Sequence, residues 1–188
     1  MNFEPSHKNI LITGGNGFVG SHLARRLVSE GGRVHLLIRD RSNTARLRDF
    51  QDRVQILRGD VTDAESIRQA VTQSQPDVIY HLSSTPFNPP TIPAQKHFDV
   101  IVNGTLHVLE AARQQPGVKL ISTGSVAEYG GGARLREDSP LRPGTMLGAA
   151  KASAGLLVLT YARLHGLDTA WLRIFTPYGP WERHERLI

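Results

Sequence analysis

The sequence predicts an α/β domain with a parallel sheet covered on both faces, and three observations carry that expectation. Short apolar runs alternate with stretches of helical periodicity from Asn9 to Phe175, a glycine cluster follows the first run, and 188 residues suit one compact core. In chain order, residues 9–13 read as a strand. Val19, Leu23, Ala24, Leu27 and Val28 follow at helical spacing, and Gly31-Gly32 stops that helix. Residues 34–38 and 54–57 are β-rich runs, 64–73 is helical, and 78–82 is a strand. A helix is expected over 95–115, a strand over 118–122, irregular structure over 126–145, a long helix over 146–165 and a last strand over 169–175. Strands that alternate with helices require crossover connections and hence parallel pairing, with apolar runs buried on both faces. The Pro-rich stretch 85–93 cannot be regular structure and reads as a plain connection or as a loop shaped over a ligand.

Composition excludes several classes. Hydrophobic residues at 39% and charged residues at 21% describe a globular chain rather than a disordered one. No apolar run approaches the roughly 18 residues of a membrane span, and the polar start MNFEPSHK has no signal-peptide core, so a cytoplasmic protein with no membrane partner is expected. Zero Cys removes disulfides, thiolate nucleophiles and Cys-ligated zinc, and the eight His show no H-x-x-x-H pairing, so no metal is expected. The net charge of +5 comes from scattered Arg and isolated Lys, a solvated basic surface rather than a nucleic-acid stripe.

Gly14, Gly17 and Gly20 stand at G-x-x-G-x-x-G spacing between the first strand and the first helix. The first glycine serves a tight turn, the second lets the backbone approach a pyrophosphate at the helix N-terminus, and the third lets helix and strand pack closely. The turn therefore predicts a dinucleotide site on a Rossmann-type, doubly wound parallel sheet. A carboxylate at the end of the second strand would bind the adenosine ribose 2′-hydroxyl and repel a 2′-phosphate. Ile38 stands there instead, followed by Arg39, Arg41 and Ser42, donors suited to a phosphate. NADP(H) is the expected cofactor and NAD(H) the alternative. Asp60 after the third strand is placed to accept from the adenine amino group while Val61 packs on the ring; Asp60 also reads as a helix N-cap, a role Thr62 or Asp63 fits better.

These segments resemble the extended short-chain dehydrogenase/reductases, the group that contains the nucleotide-sugar epimerases and dehydratases. The likeness runs from Asn9 to Pro180 and rests on TGGNGFVG (13–20), GDV (59–61), HLSS (81–84), VNGT (102–105), STGSVAEYG (122–130), the lysine of LGAAK (147–151) and LRIFTPYGP (172–180). It implies a nucleotide-sugar substrate and a cofactor site that adds Phe18, Val19, Leu82, Ser83, Ser84 and Phe175 to the residues above. The stretch VHLLIRDRSN (34–43) is similar to the NADP-using members. The resemblance also implies hydride transfer assisted by a Ser, a Tyr acting as general acid/base, and a Lys four residues after the Tyr. Ser125 matches the serine and Lys151 the lysine, which would also hold the nicotinamide ribose hydroxyls. The helices over 104–115 and 146–165 resemble those that members pair into a four-helix bundle across a two-fold axis, which implies a homodimer. Ala150, Ala154, Leu157, Val158 and Tyr161 offer apolar surface for it, part of which the chain's own sheet explains.

The pattern is broken at three places. Leu147 stands four residues before Lys151, where the family carries its tyrosine; Ile101 replaces the asparagine of N-V-x-G-T; and Thr176 stands where many sugar epimerases carry an asparagine. Leucine and isoleucine neither donate nor accept a proton. Tyr129 is the nearest phenol in sequence and reads as a substitute acid, a substrate contact or a packed ring. His81 reads as a core histidine, Glu128 and Asp138 as exposed loop carboxylates, and Trp171 and Trp181 as core and interdomain packing. Residues 1–180 read as the dinucleotide-binding domain and 181–188 as the start of a truncated C-terminal substrate-binding part. Two functions remain open at this level: an oxidoreductase-type enzyme that epimerises, dehydrates or reduces a nucleotide sugar at an atypical site, or a non-catalytic dinucleotide-binding or regulatory member.

Overall fold

The computed structural model describes residues 4–86 and 92–182; the middle of the Pro-rich stretch and residues 183–188 lie outside the described residues. Six strands, β1 (Asn9–Thr13), β2 (Arg33–Ile38), β3 (Gln55–Arg58), β4 (Val78–His81), β5 (Lys119–Ser125) and β6 (Asp168–Ile174), form one sheet in the order β3-β2-β1-β4-β5-β6. Every pairing is parallel. The chain starts in the middle, winds outward to β3 and returns beside β1, so β1 and β4 flank the switch point at which ligands bind in such sheets. Thr13, the last residue of β1, stands level with Leu37 on one side and His81 on the other.

The period-2 alternation of the strands decides the two cores. On one face Leu11, Leu37, Leu57, Ile79 and Leu120 pack against Ile67, Ala70 and Val71 of α2 (Ala64–Ser74) and Val108, Leu109 and Ala112 of α4 (Gly104–Ala112). On the other, Ile10, Ile12, Leu36 and Ile38 pack against Ala24 and Leu27 of α1 (Phe18–Ser29). No helix joins β2 to β3; two short 3₁₀ turns do, and Leu47 and Phe50 from them close this second core.

The expected helix over 95–115 is interrupted. A short α3 (Ala94–His97) runs into a π-helical turn, Phe98–Asn103, before α4 begins. The hydroxyl of Thr105, in the first turn of α4, donates back to the Ile101 carbonyl of that turn at 2.5 Å. Most strands depart from the expected limits by a residue at their ends, β3 running over 55–58 and β4 stopping at His81, while β5 continues three residues past the expected 122, to Ser125. Asp63, not Asp60, caps α2, accepting from the amides of Glu65 and Ser66. The longest helix, α5 (Met146–His165), begins where the Thr145 hydroxyl accepts from the Gly148 amide at 3.0 Å and ends at Gly166, whose φ of 65° suits glycine.

The nominated dimer stripe is corrected in part. Ala150, Ala154 and Val158 are fully buried within the chain's own fold, and the exposed large apolar side chains of α5 are instead Met146, Leu156, Leu159 and Leu164. Among the described residues no helix is long and apolar enough to cross a membrane.

Candidate functional site

A cleft of about 720 Å³ opens at the carboxyl ends of the central strands. Of the residues singled out from sequence, Gly14, Gly17, Arg39, Ser42, Asp60, Val61, Leu82, Ser83 and Ser84 line it. Its floor is the glycine turn. The Gly17 amide donates to the Gly14 carbonyl at 3.0 Å, and Gly14 has φ 73° with a Cβ position only 2.9 Å from the Ser83 amide nitrogen, so a side chain there would both strain the turn and fill the approach to β4. A Cβ on Gly20 would lie 2.8 Å from Gly15 Cα. Gly17 is the N-cap of α1 and supplies no side-chain acceptor, so the first amides of that helix face the turn without a side-chain cap. Volume, glycine contacts and uncapped helix together fit a pyrophosphate.

The rim beyond β2 carries donors that sequence reasoning passed over. Asn43 and Arg46 line the cleft beside Arg39 and Ser42, and Asn16 and Lys96 line it as well. The Asn16 amide group donates to the Asn43 carbonyl at 3.2 Å, tying the glycine turn to this loop. Arg58 donates to the Arg39 carbonyl at 3.2 Å, and Arg46 to the Trp181 carbonyl at 2.8 Å. The legible signal was the N-T-A-R run after Ser42, whose polar residues fall on the same loop. Asp60 Oδ1 accepts from both the amide and hydroxyl of Thr62 at 2.9 Å, which fixes the carboxylate at the cleft wall.

Phe18, Val19 and Gly20 form the first turn of α1 and are not among the residues lining the cleft. Ser125, Lys151 and Phe175 also lie outside that lining; Phe175 is half-exposed, its ring tilted against Tyr129 with centroids 6.4 Å apart. Lys151 on α5 is only 6% exposed and donates to the Thr123 carbonyl at 2.6 Å. Burial pushes its ammonium down to about 8, against the opposing pull of the Glu128 carboxylate.

Ser125 ends β5 and caps the 3₁₀ turn Val126–Glu128: its hydroxyl accepts from the Ala127 amide at 3.2 Å, while its own amide donates to Glu128 Oε1 at 2.7 Å. Glu128 is therefore no exposed loop carboxylate; it is fully buried. Its Oε2 accepts from Arg173 Nε at 2.8 Å and Trp171 Nε1 at 3.2 Å. The Ser125-x-x-Glu128 spacing is a capping box, a signal present in the sequence, with Arg173 on the last strand as the missing partner. Arg173 also donates to the Tyr129 hydroxyl at 2.9 Å, and Tyr129 is buried, so of its three readings the geometry gives the packed ring.

Leu147, in the first turn of α5, packs with Ile101, Ala150, Ala154 and Trp171. The two apolar departures thus meet in one cluster. His81 is buried between Thr13 Oγ1 at 2.7 Å and Thr105 Oγ1 at 3.1 Å, and desolvation pushes it down to about 3, which makes it a neutral core residue. Trp181 is exposed and touches the rest of the chain through its carbonyl. Among the described residues no group of three or more metal-ligating side chains occurs.

Comparison with known proteins agrees with this geometry. The chain is 32% identical over 192 residues to dTDP-glucose 4,6-dehydratase of Mycobacterium tuberculosis, covering 95% of this chain and 56% of that protein. It is 29% identical to UDP-arabinose 4-epimerase 1 of Arabidopsis thaliana, covering 94% and 44%. Among solved structures, Pal from Bacillus thuringiensis superposes with a TM-score of 0.86 at 27% identity over 93% of this chain and 58% of that one. UDP-glucose 4-epimerase from Brucella ovis in complex with NAD gives 0.80 at 26% identity over 89% and 52%. The chain spans about half the length of the curated relatives it matches. The glycine turn and all six strands lie within residues 10–188 but for one strand-end residue, and over that span the chain matches, and belongs to, the NAD dependent epimerase/dehydratase family.

Proposed function

We propose that this chain forms the cofactor-binding portion of an NADP(H)-dependent enzyme that epimerises, dehydrates or reduces a nucleotide-activated sugar. The observation that carries the cofactor reading is the end of β2: Ile38 occupies the place of the ribose-binding carboxylate, and Arg39, Ser42, Asn43 and Arg46 line the same cleft as the glycine turn. Planar guanidinium groups suit a 2′-phosphate, which an acidic residue there would repel. The sugar reading is supported by relatives whose names give dTDP-glucose and UDP-arabinose as what they act on.

The bound cofactor supplies the hydride donor or acceptor. The chain's own groups do the rest. Gly14, Gly17 and the α1 amides hold the pyrophosphate; Asp60 accepts from the adenine amino group and Val61 packs on its ring; Ser83 and Ser84 border the path toward the reacting end. Lys151 has three N–H donors and spends one on Thr123, leaving others for ribose hydroxyls. Ser125 supplies the hydroxyl for the reacting oxygen. Leu147 holds no proton, so the acid/base role of the family tyrosine passes elsewhere. Residues from 181 onward belong to the substrate-binding part, and the Leu156 and Leu159 face of α5 pairs with a second copy.

Titration of the chain with NADPH and NADH tests the cofactor. NADPH is expected to bind at least about tenfold tighter, and Arg39→Ala is expected to narrow that ratio while leaving NADH affinity unchanged. A preference of the unaltered chain for NADH overturns the reading of the β2 end.

A further inference from the structure

We propose that Glu128 is the positioning residue of this site, one buried carboxylate that fixes the Ser125 turn, is held by Arg173 and keeps the Trp171 indole beside the Lys151 side chain. The inference rests on the reading of Ser125 and Lys151 as site residues.

A carboxylate with no exposure is costly to bury unless it is paired and hydrogen-bonded. Glu128 is both, through donors from separate elements: the Ser125 amide at the end of β5, and Trp171 Nε1 and Arg173 Nε on β6. The space it uses is built into two further elements. A Cβ on Gly124 of β5 would collide with Glu128 Oε1 and with the Trp171 indole nitrogen, and a Cβ on Gly155 of α5 would lie 2.8 Å from that same nitrogen. Two glycines therefore leave room for an indole whose N–H points at one carboxylate. The Lys151 ammonium lies 6.0 Å from the Trp171 ring and is bonded to Thr123, two residues before Ser125. The turn that carries the serine and the lysine that neighbours it are thus both referred to the same anchor.

Glu128 and His81 face the Lys151 charge, and Arg173 answers to Glu128. Glu128 on the 3₁₀ turn is negative and favours the ammonium; His81 on β4 is held neutral by burial and feels the Lys151 charge; Arg173 on β6 is the positive partner of Glu128. Removing the Glu128 charge leaves the buried ammonium with its desolvation unopposed, which drives it toward the neutral amine. Only the charged form supplies three donors and offsets negative charge that develops on a reacting oxygen.

The chain has four lysines, so the Lys151 signal in a 15N-lysine NMR titration is assigned by its loss in Lys151→Arg. The unaltered chain is expected to titrate at about 8. Glu128→Gln is expected to lower that midpoint by about half a pH unit or more, and Arg173→Gln, which removes the ion-pair partner that holds the Glu128 carboxylate in place, to shift it through Glu128. Glu128→Asp keeps the charge but not the reach, and is expected to hold the midpoint near its original value while shifting the Ser125 and Ala127 amide resonances. If Glu128→Gln fails to fold, Arg173→Gln alone carries the test. A midpoint that moves in none of the folded variants overturns the proposal. The measurement contains no cofactor, so the cofactor reading fails or stands separately.

Discussion

His81 shows how one buried side chain can serve the site without touching it. Its two ring nitrogens join Thr13 at the end of β1 to Thr105 on α4, so the strand that feeds the glycine turn and the helix beyond the π-helical turn share one imidazole. Burial depresses its folded-state pKa to about 3 from the ordinary 6.5. The sign follows from linkage: an unfolded chain takes up a proton here that the folded chain refuses, so the contribution is fully present above about 6.5 and is lost as pH falls toward 3. The slope attributable to this residue approaches ~1.4 kcal/mol per pH unit within that window. Urea unfolding of His81→Leu is expected to show lower stability at pH 7 but a pH dependence shallower by about one proton between pH 6 and 4. An unchanged dependence removes His81 from that account.

Gly155 offers the corresponding test on a helix. In an exposed helix interior, Gly→Ala stabilises by about 1 kcal/mol. On α5 the added Cβ would lie 2.8 Å from Trp171 Nε1 and 2.9 Å from Cε2, and the indole cannot retreat without giving up Glu128. Gly155→Ala is therefore expected to lower the urea midpoint, and Trp171→Phe in the same chain to recover part of the loss, because the smaller ring has no atom at the indole nitrogen. A raised midpoint in the single variant would show that the indole moves freely. The elements themselves were largely legible in sequence. The long helix over 146–165 was read at the limits of α5, and the β1–glycine–α1 order gave the dinucleotide turn. The π-helical turn over 98–103 was not legible, because one extra residue per turn leaves the apolar spacing of 95–115 close to that of a continuous helix. Glu128 was misread for a different reason. Its partner Arg173 is 45 residues away, and only the β5–β6 pairing brings the two together.

For the molecule as a whole, the doubly wound order follows from strands that alternate with crossovers, but what its outer faces do depends on exposure that no local pattern reports. Ala150, Ala154 and Val158 looked available for a partner and are core; Leu156 and Leu159, one face further round α5, are 61% and 48% exposed. A second apolar area lies at the other boundary. Among the described strands β6 is the sheet edge beyond β5, and it carries Leu172 at 50% exposure, with Tyr178 and Trp181 exposed just after it. The two faces have different consequences for assembly. A two-fold contact through α5 closes at two copies, whereas an unpaired apolar strand edge is a template on which another chain can add. Sedimentation velocity over a range of concentrations separates them. Leu159→Lys is expected to convert a dimer to a monomer, while Leu172→Lys is expected to leave the dimer intact and suppress the larger species that grow with concentration. Loss of the dimer in Leu172→Lys, with Leu159→Lys still dimeric, would move the pairing surface from the helix to the edge of the sheet.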